Sequence, residues 1–329
     1  MKKTINNPRL LMSKRMRRMV RMLEIGMRKP VYAMSEKERE KFSNIKIPDN
    51  IFTRKFFGIP ATPPKHREYV IPVHDGEVAG TLFLPKNKTQ TLNKTTPVIL
   101  YFHGGGWVLS TIAMHTRLCE KFSAMLGIPI LSVEYRLAPE HKFPTAAEDA
   151  YNSLVWLHAH ADEFKINPDA VYVMGSSAGG NLAAVISLMA RDRKGPNIRG
   201  QILNYPVTDT DMETESYKQH EEGPLLTKKD MEFFIDTYRS KEDDISHPYF
   251  SPLLAPNHEN LPEALIITAE YDPLREDGAQ YAEKLRSAGV PVTYHLCKQT
   301  IHGFLIYPGA EGVKDTERLI TEFIGKDAT

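Results

Sequence analysis

The 329-residue chain has two cysteines, two tryptophans, no hydrophobic run approaching the length of a membrane span, and almost no net charge. Each shortage removes a class of protein. Cys119 and Cys297 lie too far apart in sequence to suggest a disulfide-built scaffold, and they read as free core thiols of a reducing compartment. Without a run of roughly 18 apolar residues there is no candidate spanning helix. A formal charge of +1, from 42 basic and 41 acidic residues, gives no general electrostatic case for nucleic acid or membrane. The chain also lacks an H-E-x-x-H segment, clustered Cys/His ligands and a P-loop, so neither a metal nor an organic cofactor is expected. What remains is 41% hydrophobic and 25% charged, the balance of a globular protein with a substantial core. Its length suits one large α/β domain with an attached cap, or two domains.

The small net charge conceals an asymmetry. Residues 1–30 carry ten Lys or Arg against Glu24 alone, a net of +9, leaving 32 basic and 40 acidic residues in the remainder. Lys14, Arg15, Arg17, Arg18 and Arg21 interrupt any apolar h-region, so this is not a signal peptide of the usual kind, and a cytoplasmic location is expected. In that setting the glycosylation patterns Asn87-Lys88-Thr89 and Asn93-Lys94-Thr95 are a polar loop. Over residues 8–28, Met12, Met16, Met19, Leu23 and Met27 recur at helical spacing, with arginines on the other faces. Such a helix could meet a membrane surface or a partner. The plainer expectation is an amphipathic helix laid over the mouth of its own protein's site, where flexible methionines suit varied apolar groups.

From about residue 68 short apolar strands alternate with helix-length segments. Glu68–Val73 and Gly80–Leu84 flank the hairpin signal Asp75-Gly76. Pro97–Phe102, Ile128–Glu134, Ala170–Met174, Gly200–Asn204, Ala264–Ala269 and Val292–Cys297 follow, as βαβ units and a buried parallel sheet require. The polar stretch from Pro206 to Pro256, with a helix expected at Lys228–Tyr238, interrupts this rhythm as an insertion between core strands.

Two segments carry chemistry. Gly175-Ser176-Ser177-Ala178-Gly179 has the form G-x-S-x-G between an apolar run and a helix-like stretch, Asn181–Arg191. A serine there sits on a tight strand-to-helix turn that lifts its Oγ clear of the backbone. Ser177 is the central serine, because centring on Ser176 would need glycine where Met174 stands. The second segment, His103-Gly104-Gly105-Gly106-Trp107, follows an earlier strand, and its bare backbone can offer N–H donors. A bare G-x-S-x-G arises often by chance, but the two segments in these contexts point to acyl transfer. Serine then needs a base. Of twelve histidines, His302 lies on the loop after the last expected strand. His158 and His160 read as solvated helix residues, His295 as a packing position in a strand, and His103 as a loop-fixing group. For the orienting acid, Asp272 lies just past the preceding strand. Glu270 would still be on that strand, and Asp277 would be a solvated carboxylate of the next helix. Glu134-Tyr135-Arg136 reads as a buried structural network rather than catalytic machinery.

These motifs, with Glu134-Tyr-Arg-Leu-Ala-Pro-Glu140, Gly175-Ser-Ser-Ala-Gly-Gly180, Tyr271-Asp-Pro-Leu-Arg275 and Ile301-His-Gly-Phe304, resemble the hormone-sensitive-lipase-like branch of the α/β-hydrolases, a family of carboxylesterases and lipases. The resemblance runs from about Val98 to Phe304. It implies an α/β-hydrolase fold, a mostly parallel eight-stranded sheet flanked by helices with a helical cap. It implies a Ser177–Asp272–His302 triad and an oxyanion hole from the N–H groups of Gly104, Gly105 and Ala178. The expected division is a cap segment at 1–60, core at 61–206, cap insertion at 207–255 and core at 256–329. The chain departs from the family in one place: Ser176 stands where Asp usually precedes the nucleophile.

The expected function is therefore a serine carboxylesterase for short- to medium-chain acyl esters, needing no cofactor. Two alternatives stay open: a serine amidase or formamidase on the same machinery, and a non-catalytic small-molecule receptor. A small ester is the expected partner and nucleic acid is not. Membrane contact through the basic helix and a homodimer are also left open.

Overall fold

The computed structural model describes residues 9, 11–27, 29–86, 94–307 and 309–325. Asn87 and Asn93 of the two glycosylation patterns lie outside them. Eight strands form one sheet: β1 (Lys65–Val73), β2 (Gly76–Leu84), β3 (Val98–Phe102), β4 (Ile130–Glu134), β5 (Val171–Ser176), β6 (Gly200–Asn204), β7 (Glu263–Tyr271) and β8 (Val292–Ile301). All eight expected strands are present, with β7 and β8 running further than their apolar cores. The order is β1-β2-β4-β3-β5-β6-β7-β8. The β1–β2 hairpin turns between Val73 and Gly76, and β2 runs antiparallel to β4. Every remaining pair is parallel, as the helical crossovers demand.

The helices are α1 (Lys14–Met27), α2 (Glu36–Ser43), α3 (Ile51–Phe57), α4 (Ile112–Leu126), α5 (Thr145–Ala159), α6 (Ala161–Phe164), α7 (Ala178–Asp192), α8 (Glu215–Gln219), α9 (Lys228–Tyr238), α10 (Arg275–Ser287) and α11 (Val313–Gly325). Strand alternation divides the core. Leu100 and Phe102 of β3 face a layer from α5, α7 and α10, whereas Ile99 and Tyr101 face α4 and α11. Helix α7 is buried from Ala178 to Ala190, because an almost unbroken Ala/Gly/Leu/Val/Ile sequence lets it lie under the sheet's centre. Helix α9 starts and stops as read; Thr227 and Asp230 close a reciprocal capping box at its start.

Helix α1 is amphipathic. Met16 and Val20, with Met12 just before the helix, pack on Tyr271 and Ile301, and its arginines point outward beside the exposed Met22 and Ile25. Among the described residues no helix is long and apolar enough to cross a membrane.

Glu134-Tyr135-Arg136 is a structural network. Arg136 pairs with Asp149 at 2.7 Å and Asp75 at 2.5 Å, and the Tyr135 hydroxyl donates to the His103 carbonyl at 2.7 Å. His158 and His160, by contrast, are only partly exposed to solvent. Both are half-buried, and His160 stacks on Trp156 with ring centres 4.4 Å apart, because α6 closes over this end of α5.

Candidate active site

Four strand ends meet at one edge of the sheet. β3 leads into His103–Gly106, β5 into Ser177, β7 into Asp272 and β8 into His302. Ser177 has φ 58° and ψ −121°, a conformation that costs a non-glycine residue energy, and it is held there from both sides. Its N–H donates to the Asn204 carbonyl at 2.9 Å, and its carbonyl accepts from Asn181 N–H as α7 begins. The flanking glycines are sterically required: a Cβ on Gly175 would overlap the Gly179 carbonyl, and one on Gly179 the Phe102 carbonyl.

The structure brings together the three side chains singled out by sequence. His302 Nε2 lies 2.9 Å from Ser177 Oγ, and His302 Nδ1 lies 2.8 Å from Asp272 Oδ2. Asp272 is fully buried, and its other oxygen accepts the Leu274 N–H at 2.9 Å. With the carboxylate accepting at Nδ1, the imidazole carries its proton there and presents a lone pair to the serine hydroxyl. Gly104 and Gly105 sit beside Ser177, and a Cβ on Gly104 would lie 2.8 Å from the Ser176 carbonyl. Neither Gly104 nor Gly105 spends its N–H on a hydrogen bond among the described residues, and Ala178 N–H is in the unpaired first turn of α7.

The rival residues fall elsewhere. Glu270 is still within β7, one residue before its end, and accepts Gln299 N–H at 2.7 Å. Asp277 is in α10 as expected, but it is buried rather than solvated. Its carboxylate accepts the N–H groups of Thr208 and Asp209 at 3.0 and 3.2 Å, which fixes the start of the insertion, and burial raises its pKa well above the carboxylate range. His295 is half-buried within β8. His103 fixes its loop through Nδ1, 2.8 Å from the Gly104 carbonyl, and burial lowers its pKa to about 4.

Sequence reasoning missed the layer beneath. The Tyr101 hydroxyl stands 2.8 Å from His115 Nδ1 and 3.4 Å from Ser176 Oγ, so neutral groups occupy the place beside the Ser176–Ser177 turn. Burial, with His103 nearby, pushes the His115 pKa down to about 3. Tyr205 meets the His302 ring edge-on, with centres 5.0 Å apart. Its place directly after β6, on the same edge, was the available signal. Nothing in local spacing marked His115, which arrives from α4.

Above Ser177 lies a cavity of about 160 Å³. Met27, Val31 and Phe42 reach it from the N-terminal segment, and Leu225, Leu226 and Phe234 from the insertion. Its lining is mostly apolar, with Ser176, Ser177 and His302 among its polar members and Asp230 of α9 on the insertion side. Among the described residues no cluster of His, Cys, Asp or Glu is arranged to hold a metal ion.

The chain is similar to several known proteins. A family model described as an alpha/beta hydrolase fold matches residues 99–306. The carboxylic ester hydrolase LipN of Mycobacterium tuberculosis is 42% identical over 241 residues, 71% of this chain and 63% of its own length. The arylesterase of Saccharolobus solfataricus is 35% identical over 260 residues, 79% of this chain and 81% of its own. The solved structure of a hyperthermophilic esterase from the archaeon Pyrobaculum calidifontis is similar with a TM-score of 0.85 at 34% identity, covering 96% of this chain and 99% of that one.

Proposed function

This chain belongs to the α/β-hydrolase family, and from that membership we propose a serine carboxylesterase that cleaves short- to medium-chain acyl esters. The observation that carries the reading is the His302 ring bridging Ser177 and Asp272 on the floor of an apolar cavity. Ser177 Oγ attacks the ester carbonyl as His302 Nε2 takes its proton. Asp272 holds the imidazole's tautomer and stabilises the imidazolium. The N–H groups of Gly104, Gly105 and Ala178 receive the negative oxygen, aided by the positive end of α7. His302 then protonates the departing alcohol, leaving an acyl group on Ser177, and next draws a proton from the water that releases the acid.

The N-terminal segment (1–60) and the insertion (207–255) act together as a cap over this site. Supporting this, both line the cavity, and Tyr32 N–H donates to Asp230 Oδ1 at 3.0 Å, tying one to the other. The cavity's size supports modest acyl groups: an apolar hole of ~150 Å³ in another protein takes benzene. Two buried free thiols, Cys119 and Cys297, suit a reducing compartment.

Turnover of aryl esters from acetate to decanoate, beside the matching anilides, tests the reading. Esters should exceed anilides in kcat/KM, with a preference below decanoate, and a fluorophosphonate should label Ser177. An adduct on Ser176, or faster turnover of the anilides, would overturn it.

A further inference from the structure

The turn that carries Asp272 is held from outside. Within it, the Asp272 carbonyl accepts Arg275 N–H at 3.1 Å and the side chain accepts Leu274 N–H at 2.9 Å, so the carboxylate's direction follows the path of residues 272–275. That path is braced by α8. Ser216 Oγ donates to the Pro273 carbonyl at 2.7 Å and accepts Glu276 N–H at 3.3 Å. Glu215 N–H donates to Glu276 Oε2 at 2.8 Å, and Arg275 Nη2 donates to Gln219 Oε1 at 3.0 Å. Ser216 is fully buried and is not among the residues lining the cavity.

Resting on the triad reading, we propose that Ser216 is a positioning residue, which clamps the Asp272 turn so that its carboxylate meets His302. Pro273 is buried, and a buried carbonyl without a partner is costly. Remove the hydroxyl and the turn twists to find another donor, carrying the Asp272 carboxylate off the imidazole. The same segment delivers Leu225 and Leu226 to the cavity wall, so the element that shapes the acyl site also sets the acid.

Ser216→Ala should lower kcat for an aryl acetate about tenfold while KM stays within about twofold, since binding contacts are untouched. Ser216→Cys, which nearly keeps the volume, should do the same if the alanine variant folds poorly. On an Asp272→Asn background the Ser216 change should cost almost nothing more, because residues acting as a unit are not additive. Full kcat in a folded Ser216 variant while Asp272→Asn is crippled overturns the clamp alone, as does simple multiplication of the two losses. An Asp272→Asn enzyme with full activity overturns the triad reading itself.

Discussion

At the scale of single residues, His103 and His115 are two buried imidazoles that the proposed chemistry does not use. Their pKa values, about 4 and about 3, lie below the ordinary 6.5, so the folded protein keeps them neutral where the unfolded chain does not. Well above pH 6.5 neither state binds a proton at these rings and they add no pH dependence. As pH falls from 6.5 towards 4, only the unfolded chain takes up protons at these rings, so, while the raised carboxyl of Asp277 acts in the opposite direction, their contribution to stability falls. Each should cost about 2 to 3 kcal/mol between pH 6.5 and 4.5. Urea midpoints measured across that range should decline, and His115→Asn should flatten the decline; an unchanged slope in that variant would remove His115 as a source. Ser176 belongs to the same neutral layer. A hydroxyl beside Tyr101, which in turn meets His115, puts no carboxylate next to Ser177, so this layer adds no negative charge to oppose the proposed oxyanion.

At the scale of elements, the site consists of the turns after β3, β5, β7 and β8, and the first of these is the least forgiving. A Cβ on Gly104 would lie 2.8 Å from the Ser176 carbonyl, and backbone cannot rotate aside as a side chain can. Gly104→Ala should therefore push the loop off the elbow and lower kcat about a hundredfold, the scale of losing one oxyanion donor, with a smaller change in KM. Steady-state kinetics on a folded Gly104→Ala protein decide it, and wild-type kcat would show that the loop has room. These turns were legible in sequence because their chemistry is local: glycines on either side of Ser177, an apolar strand before each turn, a lone histidine after the last strand. What could not be read is what arrives from far along the chain. Asp277 looked solvated because helices usually bear surface acids, yet it meets Thr208 and Asp209, 69 and 68 residues away. Ser216 looked like one more polar residue of an insertion, and only its docking on residues 273–276 gives it a role. His115 escaped for the same reason, since pairing across elements leaves no mark in spacing, whereas Tyr205 stood directly after β6 and could have been read from its place.

At the scale of the whole molecule, Met12, Met16 and Val20 from the first 27 residues rest on Tyr271 and Ile301, and these two precede Asp272 and His302 directly. The sheet's centre, by contrast, is sealed by β3, β5 and the buried run of α7. The two parts therefore differ in how readily they open. A 14-residue helix held by a few apolar side chains and by hydrogen bonds of Ser13 to Gln299 and Glu311 and of Arg15 to the Gly309 carbonyl, with an exposed basic outer face, should detach without unfolding the sheet. When it does, the strand ends that carry Asp272 and His302 should lose their cover and loosen together. Activity and secondary structure should part company during denaturation: in a urea series, ester turnover should fade at a lower concentration than far-UV circular dichroism, and amide exchange at Tyr271 and Ile301 should quicken before that of β5. Coincident transitions would show instead that α1 unfolds only with the core. On that expectation the edge that carries Asp272 and His302 would open at a lower free energy than the whole fold, and heat or mild denaturant would silence turnover while most of the sheet endures.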